Sequence, residues 1–157
     1  MTIVLRPVGS DNWEEAAGLK VRDDQSDFVA PNVWSIAESK FYDALRPMAI
    51  YDDETMVGFL MYGLDPQDGQ CWLYRFMIDQ RFQGRGLGRA ALNRFIDLLK
   101  RTPGCTGVNV GYDPANAPAE RLYLSAGFQK TGVAAWGELT ARHDLSRPEE
   151  EPLISDQ

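Results

Sequence analysis

Residues 83–88 of this 157-residue chain read Gln83-Gly84-Arg85-Gly86-Leu87-Gly88. They follow the strand-like run Cys71-Trp72-Leu73-Tyr74-Arg75-Phe76-Met77-Ile78 and open a helix-like run that continues from Arg89 to Leu99. A strand, a glycine-rich turn and a helix start in succession make an anion site. The first N–H groups of a helix have no intrahelical partner, and the helix dipole adds partial positive charge there. Glycines remove the Cβ atoms that would hold a phosphate away from those N–H groups. Arg81 and Arg85 add formal charge beside them. The expected ligand carries phosphate.

Three phosphate-binding patterns compete for these glycines. A Walker loop needs Gly-Lys-Ser/Thr, which occurs nowhere in the chain. The dinucleotide fingerprint Gly-x-Gly-x-x-Gly/Ala is met by Gly86, Gly88 and Ala91, with Asp113 further on as a ribose acid, but little sequence follows it for a full dinucleotide domain. The third pattern, Gln/Arg-x-x-Gly-x-Gly/Ala, is met by Gln83, Gly86 and Gly88.

A second phrase adds weight to the third pattern. Residues 116–128 read Asn-Ala-Pro-Ala-Glu-Arg-Leu-Tyr-Leu-Ser-Ala-Gly-Phe, so Asn116, Ala119, Leu122, Tyr123, Gly127 and Phe128 stand in the spacing N-x-x-A-x-x-L-Y-x-x-x-G-F. In order and spacing the two phrases resemble the GCN5-related N-acetyltransferase (GNAT) family. The resemblance implies an N-acetyltransferase with acetyl-CoA as cosubstrate. It implies an α/β (α+β) fold with a mixed central sheet of about seven strands, the fourth and fifth of them splayed apart.

The element pattern agrees with that order. Thr2–Val8 reads as a strand, and a first helix capped at Ser10, Asp11 or Asn12 is expected to run to Arg22. Apolar spacing predicts a second helix from Val33 to Leu45, ended by Pro47. Strands at 48–51, 56–63 and 71–78 form an antiparallel meander. The helix after the glycine loop has a wide apolar face that packs on a sheet, and the strand at 106–112 follows it as a right-handed parallel crossover. A fourth helix over 114–126 and strands at 128–133 and 136–143 complete the domain, 1–145, leaving an acidic tail, 146–157.

By resemblance, the backbone of Met77 and Ile78 holds the pantetheine arm and turns an N–H toward the developing oxyanion. The loop Gln83, Gly84, Arg85, Gly86, Leu87 and Gly88 cradles the pyrophosphate. Asn116 bonds the pantetheine arm or nearby backbone, and Tyr123 is the general acid for the departing sulfur. A phenol has a reference pKa of about 10, so it keeps its proton at neutral pH and can give it to a thiolate. A carboxylate is the expected base, with Glu38, Asp52, Asp53, Asp79 and Glu138 as candidates. Each of these also reads as a solvated turn or face residue.

Composition narrows the partners. The net charge of -7 and pI near 4.7 disfavour nucleic acid and anionic membranes. No apolar run approaches the ~20 residues that span a bilayer, and the N-terminal residues lack a secretory pattern, so a cytoplasmic location is expected. Cys71 and Cys105 have no ligand spacing and His143 is the sole histidine, so no metal site is expected. Asp23, Asp24, Asp27 and Glu38 fall in the segment that lines the acceptor cleft in the family, where acids suit a polycation. Phrases such as Leu19-Lys20-Val21, Phe28-Val29-Ala30 and Arg75-Phe76-Met77-Ile78-Asp79 resemble the bacterial spermine/spermidine acetyltransferase branch. The implied partner is a small-molecule amine, a polyamine or diamine. An aminoglycoside, amino acid or protein N-terminus, and a non-catalytic acyl-CoA-binding role, stay open, as does a homodimer.

Overall fold

The computed structural model describes residues 1–145; the acidic tail expected at 146–157 lies outside the described residues. The elements are β1 (Ile3–Pro7), α1 (Trp13–Gly18), α2 (Asn32–Ser39), β2 (Arg46–Asp52), β3 (Thr55–Leu64), β4 (Cys71–Ile78), α3 (Leu87–Lys100), β5 (Gly107–Tyr112), α4 (Ala117–Ser125), β6 (Gln129–Val133) and β7 (Leu139–Asp144). Short 3₁₀ turns stand at Asp23–Gln25 and Gln80–Phe82. One seven-stranded sheet runs β1-β2-β3-β4-β5-β7-β6. All its neighbours are antiparallel except β4 and β5.

The β4–β5 pair positions the site. It holds register only from Cys71↔Val108 to Leu73↔Val110. The next residue, Tyr74, is an extra residue in β4 against β3, where the register slips between Met61↔Arg75 and Tyr62↔Leu73. A bulge bends and twists its strand. From Tyr74 onward β4 therefore leaves β5 while still following β3, and a wedge opens between the two parallel strands.

Two cores cover the sheet. Against one face, α3 buries Leu87, Ala91, Leu92, Phe95, Ile96 and Leu99 over Leu60, Leu73, Val108 and Val110, as its apolar stripe predicts. Each large apolar side chain buried in this way contributes about 1.5–3 kcal/mol. Against the other face, α1 and α2 pack Ala16, Leu19 and Ile36 over Ala49, Phe59, Met61 and Met77. Buried Asn32 ties these helices together, donating from Nδ2 to the Ala16 carbonyl (2.9 Å) at the first residue of α2.

The first two helices are shorter than the sequence pattern predicts, for nonlocal reasons. The first ends at Gly18 rather than Arg22 because the backbone of Lys20 is engaged by the end of β4. Its N–H donates to Asp79 Oδ2 (3.0 Å), and its carbonyl accepts from the Gln80 N–H (2.8 Å). The second ends at Ser39 rather than Leu45. Trp34 and Phe41, two of the apolar residues whose spacing predicts the longer helix, are exposed, as is Tyr42, and the chain crosses β3 with the Ala44 carbonyl where a Cβ on Gly63 would stand. Pro47 belongs to β2 and does not end a helix.

Candidate active site

A cleft of about 820 Å³ occupies the wedge between β4 and β5 and reaches the start of α3. The 3₁₀ turn after β4 leads into Gly84 and Gly86, both with φ of 80°, and Gly86 caps α3 from the left-handed region. A Cβ at either glycine would meet nothing within 4 Å, so the conformation, not crowding within the chain, calls for glycine there. The first backbone bond entering the helix is Ala90 N–H to the Gly86 carbonyl (3.1 Å). Among the described residues no acceptor meets the N–H groups of Leu87, Gly88 and Arg89. These donors, with Arg81 and Arg85 beside them, fit a diphosphate. Gly88 differs from the other two glycines: a Cβ would reach only ordinary contacts with Ile78 (3.7 Å) and Leu122 (3.8 Å).

Gln83 faces inward. Its Nε2 donates to the Ile78 carbonyl (2.8 Å) and to Gln25 Oε1 (2.9 Å), and its Oε1 accepts from Arg22 (2.7 Å). Its side chain thus joins the loop to the strand end and to the 23–25 turn.

The strand end presents alternating backbone. Asp79 N–H donates to the Val57 carbonyl (2.8 Å), and Phe59↔Met77 is the next pair of that phase, so the peptide groups of Met77 face β3. Consistently, a Cβ on Gly58 would lie 2.5 Å from the Met77 carbonyl oxygen. The groups of Ile78 and Phe76 face the wedge instead. Both residues assigned to pantetheine line the cleft; Ile78 offers backbone there, and Met77 also contributes its buried side chain to the α1–α2 core. Phe76, not a site candidate in the sequence, presents the other wedge-facing backbone groups. Only the bulge at Tyr74 sets this phase, and no residue type announces it.

Tyr123 lies on α4, buried, with its ring 5.7 Å from Tyr112 and 5.5 Å from Phe128. It lines the cleft, and no described residue hydrogen-bonds its hydroxyl. Burial, with the charge of Glu138 and neighbouring Tyr112, pushes its pKa above the ordinary phenol value. Asn116 caps α4, its Oδ1 accepting from the Ala119 N–H (3.3 Å), and the residue lines the cleft.

The five candidate bases separate cleanly. Asp52 ends β2, accepting from the Thr2 N–H (3.0 Å), and Asp53 opens the turn to β3, both away from the cleft. Asp79 is buried at the N-cap of the 80–82 turn, its oxygens taken by the Lys20 N–H, the Arg81 N–H and Arg81 Nε (2.8 Å). Burial pushes its carboxyl pKa up, but the bonds from Arg81 and Lys20 outweigh this and hold it below the ordinary value. Glu38 pairs with Arg75 (3.4 Å) in a neighbouring cleft, which Tyr74 and Arg75 share with the first. Only Glu138 lines the main cleft. Of the other acids expected at the acceptor side, Asp27 lines it, whereas Asp24 pairs with Arg22 (3.3 Å) and Asp23 starts the 3₁₀ turn. His143 packs on Phe128 and stays outside the cleft. Cys71 is a free, buried thiol and Cys105 a free, half-buried one; among the described residues no cluster of metal-ligating side chains occurs, and no helix is long and apolar enough to cross a membrane.

A profile of the Acetyltransferase (GNAT) family matches residues 12–128. The chain is 33% identical to the spermine/spermidine N(1)-acetyltransferase of Bacillus subtilis over 138 residues, covering 84% of this chain and 91% of that protein. Among solved structures, the spermidine N-acetyltransferase of Vibrio cholerae in complex with CoA and spermine superposes with a TM-score of 0.71 at 16% identity, covering 89% of this chain and 92% of that one. An aminoglycoside acetyltransferase in complex with coenzyme A superposes with a TM-score of 0.76 at 15% identity, covering 91% and 95%. With the splayed strands, the unpaired helix-start amides and these matches together, the chain belongs to the GNAT family of acetyltransferases and is an N-acetyltransferase that uses acetyl-CoA.

Proposed function

We propose that the acceptor is a polyamine or a related diamine. The observation that carries this reading is sequence identity of 33% along 84% of the chain to a spermine/spermidine acetyltransferase. Carboxylates at the acceptor side support it. Asp27 and Glu138 line the main cleft, and Glu38, Asp43 and Asp65 line the neighbouring one that meets it at Tyr74 and Arg75. A chain of ammonium groups spaced by methylenes fits such a row, with the stems against exposed Phe41 and Tyr42.

In this reading the N–H groups of Leu87, Gly88 and Arg89 hold the diphosphate, and the backbone of Phe76 and Ile78 holds the pantetheine arm. Asn116 Nδ2 is the remaining donor beside that arm. One wedge-facing N–H of β4 polarises the thioester carbonyl, a contact that strengthens as negative charge develops on the oxygen. Tyr123 delivers its proton to the departing sulfur. A free-thiol assay with spermine, spermidine, putrescine, an aminoglycoside and a peptide N-terminus tests the acceptor. Preference for the polyamines is expected. Turnover confined to the aminoglycoside or the peptide would reject them.

A further inference from the structure

The two faces of the sheet differ chemically where the wedge opens, and Glu138 is the one of the five candidate bases that lines the cleft, with Asp27 and Asp113 as the other carboxylates there. Along β5, Val108, Val110 and Tyr112 point into the core under α3 and α4. Side chains alternate along a strand, so Gly111 belongs to the opposite face, the one covered by α1 and α2. Glu138 sits just before β7, in the turn closed by the Ala134 N–H on the Glu138 carbonyl (2.8 Å) and the Gly137 N–H on the Ala134 carbonyl (2.9 Å). Its carboxylate lies over Gly111: a Cβ there would come within 2.6 Å of Oε1. Absence of a side chain at 111 is therefore what lets the carboxylate reach across β5 to the cleft. Trp136 holds it in place, donating from Nε1 to Oε1 at 2.7 Å, and Oε2 has no partner among the described residues. Tyr123 reaches the same wedge from α4, on the other face.

That arrangement matches what amide formation requires. The amine adds to the thioester carbonyl carbon after losing a proton, and the sulfur leaves the tetrahedral intermediate with a proton of its own, so a base and an acid are needed at separate positions. We propose that Glu138 is the general base that takes the proton from the reacting ammonium. This rests on the acceptor being an amine that is cationic at neutral pH. Oε2 accepts one ammonium proton, and the freed lone pair forms the C–N bond to the acetyl carbon. The C–S bond breaks, and Tyr123 gives its proton to the sulfur. The second proton shed by the nitrogen restores the Tyr123 phenol, and the proton on Glu138 passes to solvent. The sum is one ammonium and one thioester converted to one amide, one thiol and one released proton.

The test compares Glu138→Gln with the unaltered enzyme on two nucleophiles, spermidine and trifluoroethylamine. The first is protonated at neutral pH; the second is largely neutral and has no proton to lose before attack. Expected with spermidine is a fall in kcat of about 100-fold or more, the usual share of a general base. Expected with trifluoroethylamine is a change of less than about threefold, and acetyl-CoA binding measured by calorimetry stays the same. Gly111→Ala, which pushes the carboxylate off β5, is expected to act in the same direction on spermidine alone. An equal loss with both amines, or a kcat that does not fall, overturns the base role. A rise in KM for spermidine with kcat kept would make Glu138 an ammonium anchor instead, which also overturns it. If the unaltered enzyme ignores spermidine, the polyamine reading fails separately, and the same comparison is read on whichever alkylamine is turned over.

Discussion

Gln83 donates to the carbonyl of Ile78 at 2.8 Å, closing the glycine loop against the last residue of β4. The same side chain meets Gln25 (2.9 Å) and Arg22 (2.7 Å) from the segment between α1 and α2. One amide thus ties the glycine loop, the end of β4 and the segment between α1 and α2 together. Its contribution is to position rather than to ligate.

Gln83→Ala should accordingly raise the KM of both substrates, by about fivefold each, since loss of one such bond is worth about 1 kcal/mol. Gln25→Ala removes one of the two bonds from Gln83 to the segment between α1 and α2, together with the Arg22 N–H bond to Gln25 Oε1 (3.1 Å), but leaves the tie to Ile78, and should raise the amine KM alone. Steady-state kinetics with each substrate varied in turn decides this. Equal effects of the two variants on acetyl-CoA would show that Gln83 contacts the carrier itself.

The glycines of the loop should not be equivalent. Gly86 has φ of 80°, so Gly86→Ala is strained by about 1–2 kcal/mol and also moves the amides that start α3. Gly88 has no such angle and has room for a methyl group within the protein. Gly88→Ala is expected to keep its melting temperature to within about a degree, whereas Gly86→Ala lowers it by several. Calorimetry should find acetyl-CoA affinity weakened far more in Gly86→Ala. Equal losses in the two variants would refute the distinction.

The parts of this fold that local pattern determines were legible in the sequence. The end of β4 at Ile78 and the apolar stripe of α3 follow from periodicity, and the left-handed start of α3 follows from glycines at 84 and 86. What ends α1 is a bond to Asp79, dozens of residues away, and what ends α2 is passage over Gly63, so periodicity overextended both helices. The site divides in the same manner. Asn116 and Tyr123 stand in a fixed phrase on one helix, and both line the cleft. That the backbone of Phe76 rather than Met77 faces the wedge depends on the phase set by the Tyr74 bulge, and that Glu138 alone of the five acids lines the cleft depends on which face of β5 Gly111 occupies. Both are products of strand pairing, which a single segment does not encode.

Asp79 should make stability depend on acid. Its folded pKa is lowered, so its stabilisation is present above the unfolded value of about 3.9 and is lost as pH falls through the folded value. Asp79→Asn weakens bonds between Lys20, Arg81 and a buried carboxylate, with an expected cost of about 1.5–3 kcal/mol at pH 7. Denaturant melts of both proteins across pH 7 to pH 3 should show that gap narrowing toward the acid end. A gap independent of pH would mean that packing, not charge, sets the loss.

Tyr123→Phe isolates the acid from its scaffold. The ring packs between Tyr112 and Phe128, and Phe preserves those contacts while removing the proton. Turnover is expected to fall about 100-fold with acetyl-CoA affinity kept, because the hydroxyl acts on a charge that appears only as the sulfur leaves. The raised pKa fixes the pH behaviour as well. The active form is the protonated phenol, so no loss of rate from this group is expected until pH passes about 10. The group's stabilising preference for its proton is complete below that pH and is lost as pH rises through the folded value, so the unaltered protein should weaken at strongly alkaline pH more than Tyr123→Phe does. Wild-type turnover in the variant would remove Tyr123 from the reaction. A rate decline near neutral pH that disappears in Tyr123→Phe would show the phenol ionising far below where its surroundings place it.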